Sequence, residues 1–560
     1  MTAYVQDLPE PLTATNERVD DIPLLIAHLR HMGIPPLLDA HVPTRGYWSN
    51  LGIGWVTTIW LAHLLSQSDN KVRHVQTWVA SHPETLRWCI EQEALPTDVH
   101  EHRLREVLQM LSDDARWYAF EQALNNHLMH TFGFAYEQVR IHKVESCHWQ
   151  VLPEGVLQIG HTKTWRPGAL RLQIVQATLD PFAMPLTTWA STGRGSVTGR
   201  VADAIAQVQA ILQPSGLLYV GDEVGALEAR AVIQTGGGGY LCPLSDMASI
   251  VEDRPSVGRE LRPLVFGGDG PQHEPEVDGY EWREPMALVL DGQLVQWDER
   301  RLLIRSRVHA RTAEESLRGR LTRARSALTS LGERKRGKRR PRTLEALHQA
   351  AQDILDSHQV QGLLNLQYEE AVEERVVRRY RGRPTSVRVE RDMQVISSIN
   401  EAALSEAVRQ LGWQMYATNL PPETLPLPHL LTMSTAGPPG FERLNGRPLS
   451  ITPGSLQRDE HVVGLVRLLS LGLRALVLLE IQVYQKLLDE GGAPVLPNVG
   501  GRRVAQQAGE RLLDAFRDIL LTSGRGSHGR ASITPLSALQ RRVLHLLALK
   551  PEIYQYHIEH

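Results

Sequence analysis

The sequence predicts a mixed α/β protein of several domains, with sheet-forming stretches flanked by helical ones. Three observations carry this. Roughly the first 130 residues repeat their apolar side chains at helical spacing, the period shortens to that of strands from about residue 138, and strands then alternate with helices. At 560 residues the chain exceeds one simple core. Hydrophobic residues make up 42% and charged residues 22%, as in ordinary soluble proteins.

The elements follow in order. In "DDIPLLIAHLRHMGIPPLLDAHV", Ile22, Leu25, Ile26 and Leu29 form one helical stripe, with Asp20 or Asp21 as the expected cap and Pro23 in the first turn. "LGIGWVTTIWLAHLLSQ" reads as a second helix and "REVLQMLSDDARWYAFEQALNNHLM" as two more. Residues 1–135 thus form a helical N-terminal domain suited to DNA binding or association, without a recognisable reading helix. Within 136–244, "GVLQIGHT", "LRLQIVQATLD" and "PLTTWAS" are strand-like, with "DPFAM" as a turn. The helix "VADAIAQVQAIL", the strand "LLYVGD" and the helix "ALEARAVIQT" follow. Gly236 to Gly239 lack the Lys-Ser/Thr of a phosphate-binding loop and read as a turn.

Residues 245–415 change character. Two charged helices are joined by a loop in which Arg334, Lys335, Arg336, Lys338, Arg339, Arg340 and Arg342 place seven cations in nine positions. The Arg-rich, strand-like "VEERVVRRYRGRPTSVRVERDMQVISSI" comes next, then the core strand "GWQMYATNLP". In 416–490, "VGLVRLLSLGLRALVLLEI" carries Arg467, Arg474 and Glu480, a cost in lipid that predicts a buried helix and no membrane span. Residues 491–560 are expected to be helical. There is no internal repeat. Cys89, Cys147 and Cys242 are widely spaced, which argues against a disulfide framework or a structural zinc site and suits a reducing cytoplasm. The acidic N-terminus has no apolar signal region.

Several motifs carry candidate chemistry. Asp222, ending an apolar strand, is equally consistent with a metal ligand and with a helix cap beside Gly221. The basic tract 334–342 suits phosphate backbones, or is a solvated loop. "HKVESCH" holds metal-capable side chains at no known ligand spacing. No Ser-His-Asp or Cys-His arrangement is legible.

Taken together, the opening segment from Val19 to Val79, "GVLQIGHTKTWRPGAL", "ATLDPFAMPL", "GLLYVGDEVGAL", "GWQMYATNLP" and "FERLNGRPLSITPGSLQRDEHVVGLVRLLSLGLR" resemble one family in order. That family is the DDE-type insertion-sequence transposases, in the subgroup with a helical N-terminal domain and a long insertion in the catalytic domain. The resemblance implies a ribonuclease-H-like α/β core interrupted by an insertion domain, with helical N- and C-terminal regions. It also implies three acids holding Mg²⁺ or Mn²⁺ for phosphodiester cleavage and strand transfer. Asp222 matches the second acid. At the first position the run is "VRIHKVESCHWQV", with His142 or a neighbour in place and Glu145 the nearest carboxylate. At the third, Pro438 stands where a Glu belongs, Pro439, Gly437 and Gly440 break the helix, and Glu442 lies four residues on.

Activity would therefore require Glu145 and Glu442 to substitute around Asp222, and the missing acids predict impaired or lost catalysis. Lys163, Arg166, Arg443, Arg447 and the 334–340 cations are the expected DNA contacts. The resemblance implies double-stranded DNA at the element ends as partner, a homodimer, and a cytoplasmic, nucleoid-associated location without a small-molecule substrate. Three readings stay open: a working transposase, an inactive DNA-binding regulator, and an association module without DNA.

Overall fold

The stripe read at Ile22, Leu25, Ile26 and Leu29 becomes helix α1 (Ile22–His31), and all four side chains are buried. In this computed structural model, residues 14–43, 48, 50–133, 138–151, 157–160, 170–192, 198–212, 216–244, 262–266, 277–332, 341, 343–377, 386–435, 443–444, 449, 458–491, 508–524 and 531–556 are described. Strand β1 (Ala14–Arg18) precedes α1. After it come α2 (Ile34–His41), α3 (Ile53–Gln67), α4 (Val72–Ser81), α5 (Pro83–Ile90), α6 (Glu101–Leu111) and α7 (Asp114–Phe132). The expected cap on α1 is corrected. Asp21 occupies the cap position but makes no capping bond, and its carboxylate accepts instead from Ser66 Oγ at 2.7 Å. Burial raises that carboxyl to about 6.

The chain folds into two compact units, Met1–Pro243 with Pro285–Glu299 and Thr418–His560, and Leu244–Glu284 with Arg300–Ala417. The first unit contains a mixed sheet. Its strands are β2 (Gln138–Val151), β3 (Leu157–Gly160), β4 (Leu170–Leu179), β5 (Met184–Thr192), β6 (Leu218–Val220) and β7 (Gly239–Leu244). Their order is β5-β4-β2-β6-β7, with β3 also on β2. β2, β4 and β5 pair antiparallel, while β6 lies parallel to β2 and β7 parallel to β6. The parallel strands need crossovers. These are α8 (Thr198–Leu212), before β6, and α9 (Leu227–Thr235), between β6 and β7.

In the second unit lie β8 (Arg262–Phe266), β9 (Val277–Leu290), β10 (Gln293–Ser306), α10 (Arg307–Gly332), α11 (Leu344–His358), β11 (Leu364–Val377), β12 (Ser386–Ile399), α12 (Glu401–Arg409) and β13 (Trp413–Thr418). The last six residues of β9, the first seven of β10 and Thr418 of β13 belong to the first unit. β11 and β12 form a two-stranded antiparallel ribbon. Its base packs on α10 and α11 through a cluster that includes Leu321, Leu328, Leu347, Leu364 and Val395.

The first unit resumes with α13 (Leu427–Thr435), α14 (Asp459–Asp489), α15 (Ala508–Asp514), β14 (Leu520–Gly524), β15 (Ser532–Ile533) and α16 (Ala538–Leu546). The expectation of helices alone in the last hundred residues is thus corrected, since β14 pairs with both β15 and the distant β1. Among the described residues, α14 alone is long and apolar enough to cross a membrane, and its apolar window is wholly buried in protein. Gly464 lets α14 pass close to α6, because a Cβ there would lie 2.0 Å from Leu108 O.

The charges on α14 are used within the core. Arg474 donates to Pro185 O and Leu186 O, each at 2.9 Å, and pairs with Glu121 of α7. Arg467 donates to Leu111 O at 2.8 Å and pairs with Asp114. Trp117 and Asn125 of α7 add bonds to Thr188 O and Leu186 O on β5, at 3.0 and 2.6 Å. Helix α7, helix α14 and strand β5 are therefore joined by polar contacts that leave the buried charges partnered.

Candidate active site

Strand β6 is short and fully buried, and it delivers Asp222 at its carboxyl end. Gly221 makes the delivery possible. Its φ is 141°, and a Cβ there would stand 2.4 Å from Ile141 O, so only glycine lets this turn hug β2. The parallel register pairs Gln138 with Leu218, Val139 with Tyr219 and Arg140 with Val220. Continued two residues past the end of β6, that register sets His142 beside Asp222.

Asp222 is exposed at the start of a short 3₁₀ turn, Asp222–Gly225. Its carboxylate makes no hydrogen bond or ion pair to a described residue. The helix-cap alternative has no support in this geometry: the residue at the cap of α9 is Ala226.

Strand β2 alternates the polar Gln138, Arg140 and His142 with the apolar Val139 and Ile141, and Arg140 is itself buried. Gln138 Nε2 and Arg140 Nε donate to Asp180 Oδ2 at 2.8 and 3.0 Å, and Arg140 Nη2 reaches the same oxygen at 2.9 Å. Burial raises the Asp180 carboxyl, and Arg140 opposes that rise. Burial first, then the Arg140 charge, holds His142 down at about 3. The imidazole is therefore neutral at physiological pH. Its Nε2 lies 3.4 Å from Thr178 Oγ1, a weak contact. Lys143 Nζ lies 3.8 Å from Glu223 Oε2, so the residues following His142 and Asp222 also meet across this edge.

This arrangement can offer an incoming group one free carboxylate and one neutral imidazole. Carboxylate oxygen suits a hard divalent ion, and imidazole nitrogen suits softer ones. Among the described residues, no three His, Cys, Asp or Glu side chains converge as an ion site.

The other expected site residues are distributed as follows. The backbone of Glu145 lies in β2 opposite Gln173, three residues past His142, which is about 10 Å along a strand. Glu442, Pro438, Lys163, Arg166, Arg447 and the cations Arg334, Lys335, Arg336, Lys338, Arg339, Arg340 and Arg342 lie outside the described residues. Arg443 is buried. It donates to Glu480 at 3.2 Å and to both Glu510 oxygens at 2.9 and 2.8 Å, tying it to α14 and α15. Burial raises Glu480, and Arg443 opposes that.

Arg140 and Asp180 were not singled out by sequence reasoning. The available signal was the polar alternation of Gln138, Arg140 and His142 against Val139 and Ile141, which marks one face of the strand as polar. No family model matches the chain, and no curated protein matches it.

Proposed function

We propose that the chain is a DNA-binding protein of the DDE transposase class, built on a ribonuclease-H-like core, in which phosphodiester cleavage is impaired or lost. The observation that carries this reading is the sheet order with its acid. With the short β3 set aside, three antiparallel strands are followed by two parallel ones, so in chain order the strands run third, second, first, fourth, fifth. Asp222 ends the fourth, beside the first. Crevices at strand ends are where α/β sheets bind their ligands. In this reading residues 244–284 and 300–417 are the insertion, and Asp222 is the retained second acid.

The loss of catalysis follows from what stands beside Asp222. A cleavage site of this class concentrates carboxylates on Mg²⁺ or Mn²⁺, which stabilises charge on the attacking and leaving oxygens. Here the level neighbour of Asp222 is neutral His142, and the Arg140–Asp180 ion pair occupies the same strand face. A neutral imidazole contributes no negative charge to hold a hard divalent ion. Asp222 and His142 are the described donors available to such an ion, and they are fewer than the class uses.

The test is supercoiled plasmid carrying the element's own ends, incubated with purified protein and Mg²⁺ or Mn²⁺, beside an Asp222→Ala control. The expected result is plasmid binding without nicking or strand transfer, unchanged by the substitution. Nicking that disappears in Asp222→Ala would overturn the loss of catalysis. Failure to bind the plasmid would overturn the DNA-binding reading.

A further inference from the structure

Helix α1 presents two faces. Ile22, Leu25, Ile26 and Leu29 are buried in the core, while Ala27, Arg30 and His31, at i, i+3 and i+4, share another side. These three line a cleft of about 360 Å³. Trp88, Cys89 and Glu91, at the end of α5, and Ile553, in the short 3₁₀ turn Pro551–Tyr554, complete its walls. All of these elements belong to the first unit. Clefts of about 300–1,000 Å³ commonly take small ligands, so this one suits a ligand smaller than a nucleotide.

The walls are fixed by contacts outside the cleft. Tyr554 Oη donates to Asp20 O at 2.9 Å, and the Tyr554 ring stacks on Phe516 with centroids 5.5 Å apart, which fastens the turn that carries Ile553. Trp88 meets Tyr556 edge-on, with centroids 5.8 Å apart. Tyr556 Oη and Arg87 Nη2 both donate to Glu84, at 2.9 and 2.6 Å, so these neighbouring polar groups satisfy one another. The hollow itself depends on Ala27, whose methyl group leaves the middle of the α1 face low.

The lining carries one charge of each sign. Burial pushes the Cys89 thiol well above its usual range, and burial, then the nearby His127, lowers His31. Both side chains are therefore neutral at neutral pH. Arg30 Nη1 donates to Glu91 Oε1 at 3.0 Å, and the two side chains are 52% and 73% exposed. Exposed pairs of this kind hold weakly. A guanidinium has five N–H donors and a carboxylate has two acceptor oxygens, so most of the bonding capacity of both groups is unused among the described residues.

Opposite charges side by side at the rim of an apolar hollow match a small molecule that carries both charges and an apolar body. We propose that this cleft binds an apolar amino acid, with its carboxylate on Arg30, its ammonium on Glu91 and its side chain against Trp88, Ala27 and Ile553. A ligand with a single charge would cover one rim group without matching it, which is costly. The cleft is separate from Asp222, and the proposal does not rest on the DNA-binding reading.

The test is calorimetric titration of the full-length protein with L-phenylalanine, 3-phenylpropionate, which lacks the ammonium, and phenethylamine, which lacks the carboxylate. Phenylalanine should bind at one site, and each analogue about fivefold more weakly or worse. Arg30→Met should weaken phenylalanine about fivefold and spare phenethylamine, whereas Glu91→Gln should weaken phenylalanine similarly and spare phenylpropionate. Ala27→Phe fills the hollow and should abolish binding of all three. Phenylalanine should also raise the melting temperature of the wild type, because it binds the folded state alone.

Absence of binding up to the solubility of phenylalanine overturns the site. Equal affinity for the three compounds overturns the zwitterion assignment, and binding that survives Ala27→Phe places the ligand elsewhere and overturns the proposal. A melting curve of each unliganded variant shows whether it folds. If Ala27→Phe does not, the two exposed charge variants decide: phenylalanine affinity unchanged in both overturns the proposal.

Discussion

Removing Arg474 should destabilise the first unit in a way that pH can diagnose. Arg474 is fully buried, and Glu121, its partner, is 3% exposed. In Arg474→Met the aliphatic volume is largely kept, but Glu121 loses its counter-charge and Pro185 O and Leu186 O lose a donor. Stranding one member of a buried pair costs about 3–5 kcal/mol. In Glu121→Gln/Arg474→Met the buried charge is gone, and the Gln oxygen can still accept from Thr188 N, which now donates to Glu121 at 3.2 Å. The double variant should then lose only about 1–2 kcal/mol, mostly from Pro185 O, since Leu186 O still accepts from Asn125.

The sign with pH follows from Glu121. Burial already raises its carboxyl, with Arg474 pulling it back in part. A carboxyl raised in the folded state costs stability as pH climbs from the ordinary carboxylate range through the folded value, and removing Arg474 raises it further. The loss in Arg474→Met, taken against wild type at each pH, should therefore shrink as the solution is acidified. The double variant lacks that titrating carboxyl, so its loss against wild type should instead grow as the solution is acidified. Urea unfolding followed by circular dichroism, at neutral and at mildly acid pH, measures both. Equal losses in the single and double variants, or a single-variant loss independent of pH, would refute the buried-charge account and leave packing as the cause.

Two further outcomes are expected. Gly221→Ala should cost at least about 2 kcal/mol, because it combines a conformation that L side chains avoid with a clash against Ile141 O, and thermal melting checks it; a melting temperature equal to wild type would show that β6 need not hug β2. His28 is buried with its ring nitrogen 3.0 Å from Ala475 O, and burial lowers it to about 4. Its folded value lies below the unfolded one, so stability should fall as pH drops from 6.5 towards 4, by about 3 kcal/mol in all. His28→Gln keeps a donor for that carbonyl and should flatten the pH profile by this amount. An unchanged profile would assign the acid sensitivity elsewhere.

Much of the fold was legible because it is local. The stripe of α1, the apolar run of α14 with its internal charges, the strand periods of β4 and β5 and the acid ending β6 each appear within a dozen or so residues. In such segments backbone hydrogen bonding and burial of one face impose a period that residue order alone displays. The Arg-rich stretches were legible as composition for the same reason.

Tertiary structure decided which distant segments meet. Asp21 was read as a cap from its neighbours, but Ser66, 45 residues away, takes its carboxylate. Strand β1 is too polar to announce itself, and it forms only because β14, about 500 residues later, supplies its hydrogen bonds. Arg443 was read as an expected DNA contact, whereas the structure closes Glu480 and Glu510 around it. The level placement of His142 and Asp222 depends on a parallel register and on a Cβ-free turn at Gly221. The sequence by itself determined the α/β character, the position of the acid and the excess of cations, because local periodicity and composition suffice for these. Only the tertiary structure decided which charges are neutralised and which imidazole stands beside the acid, because these depend on pairings that chain order does not encode locally.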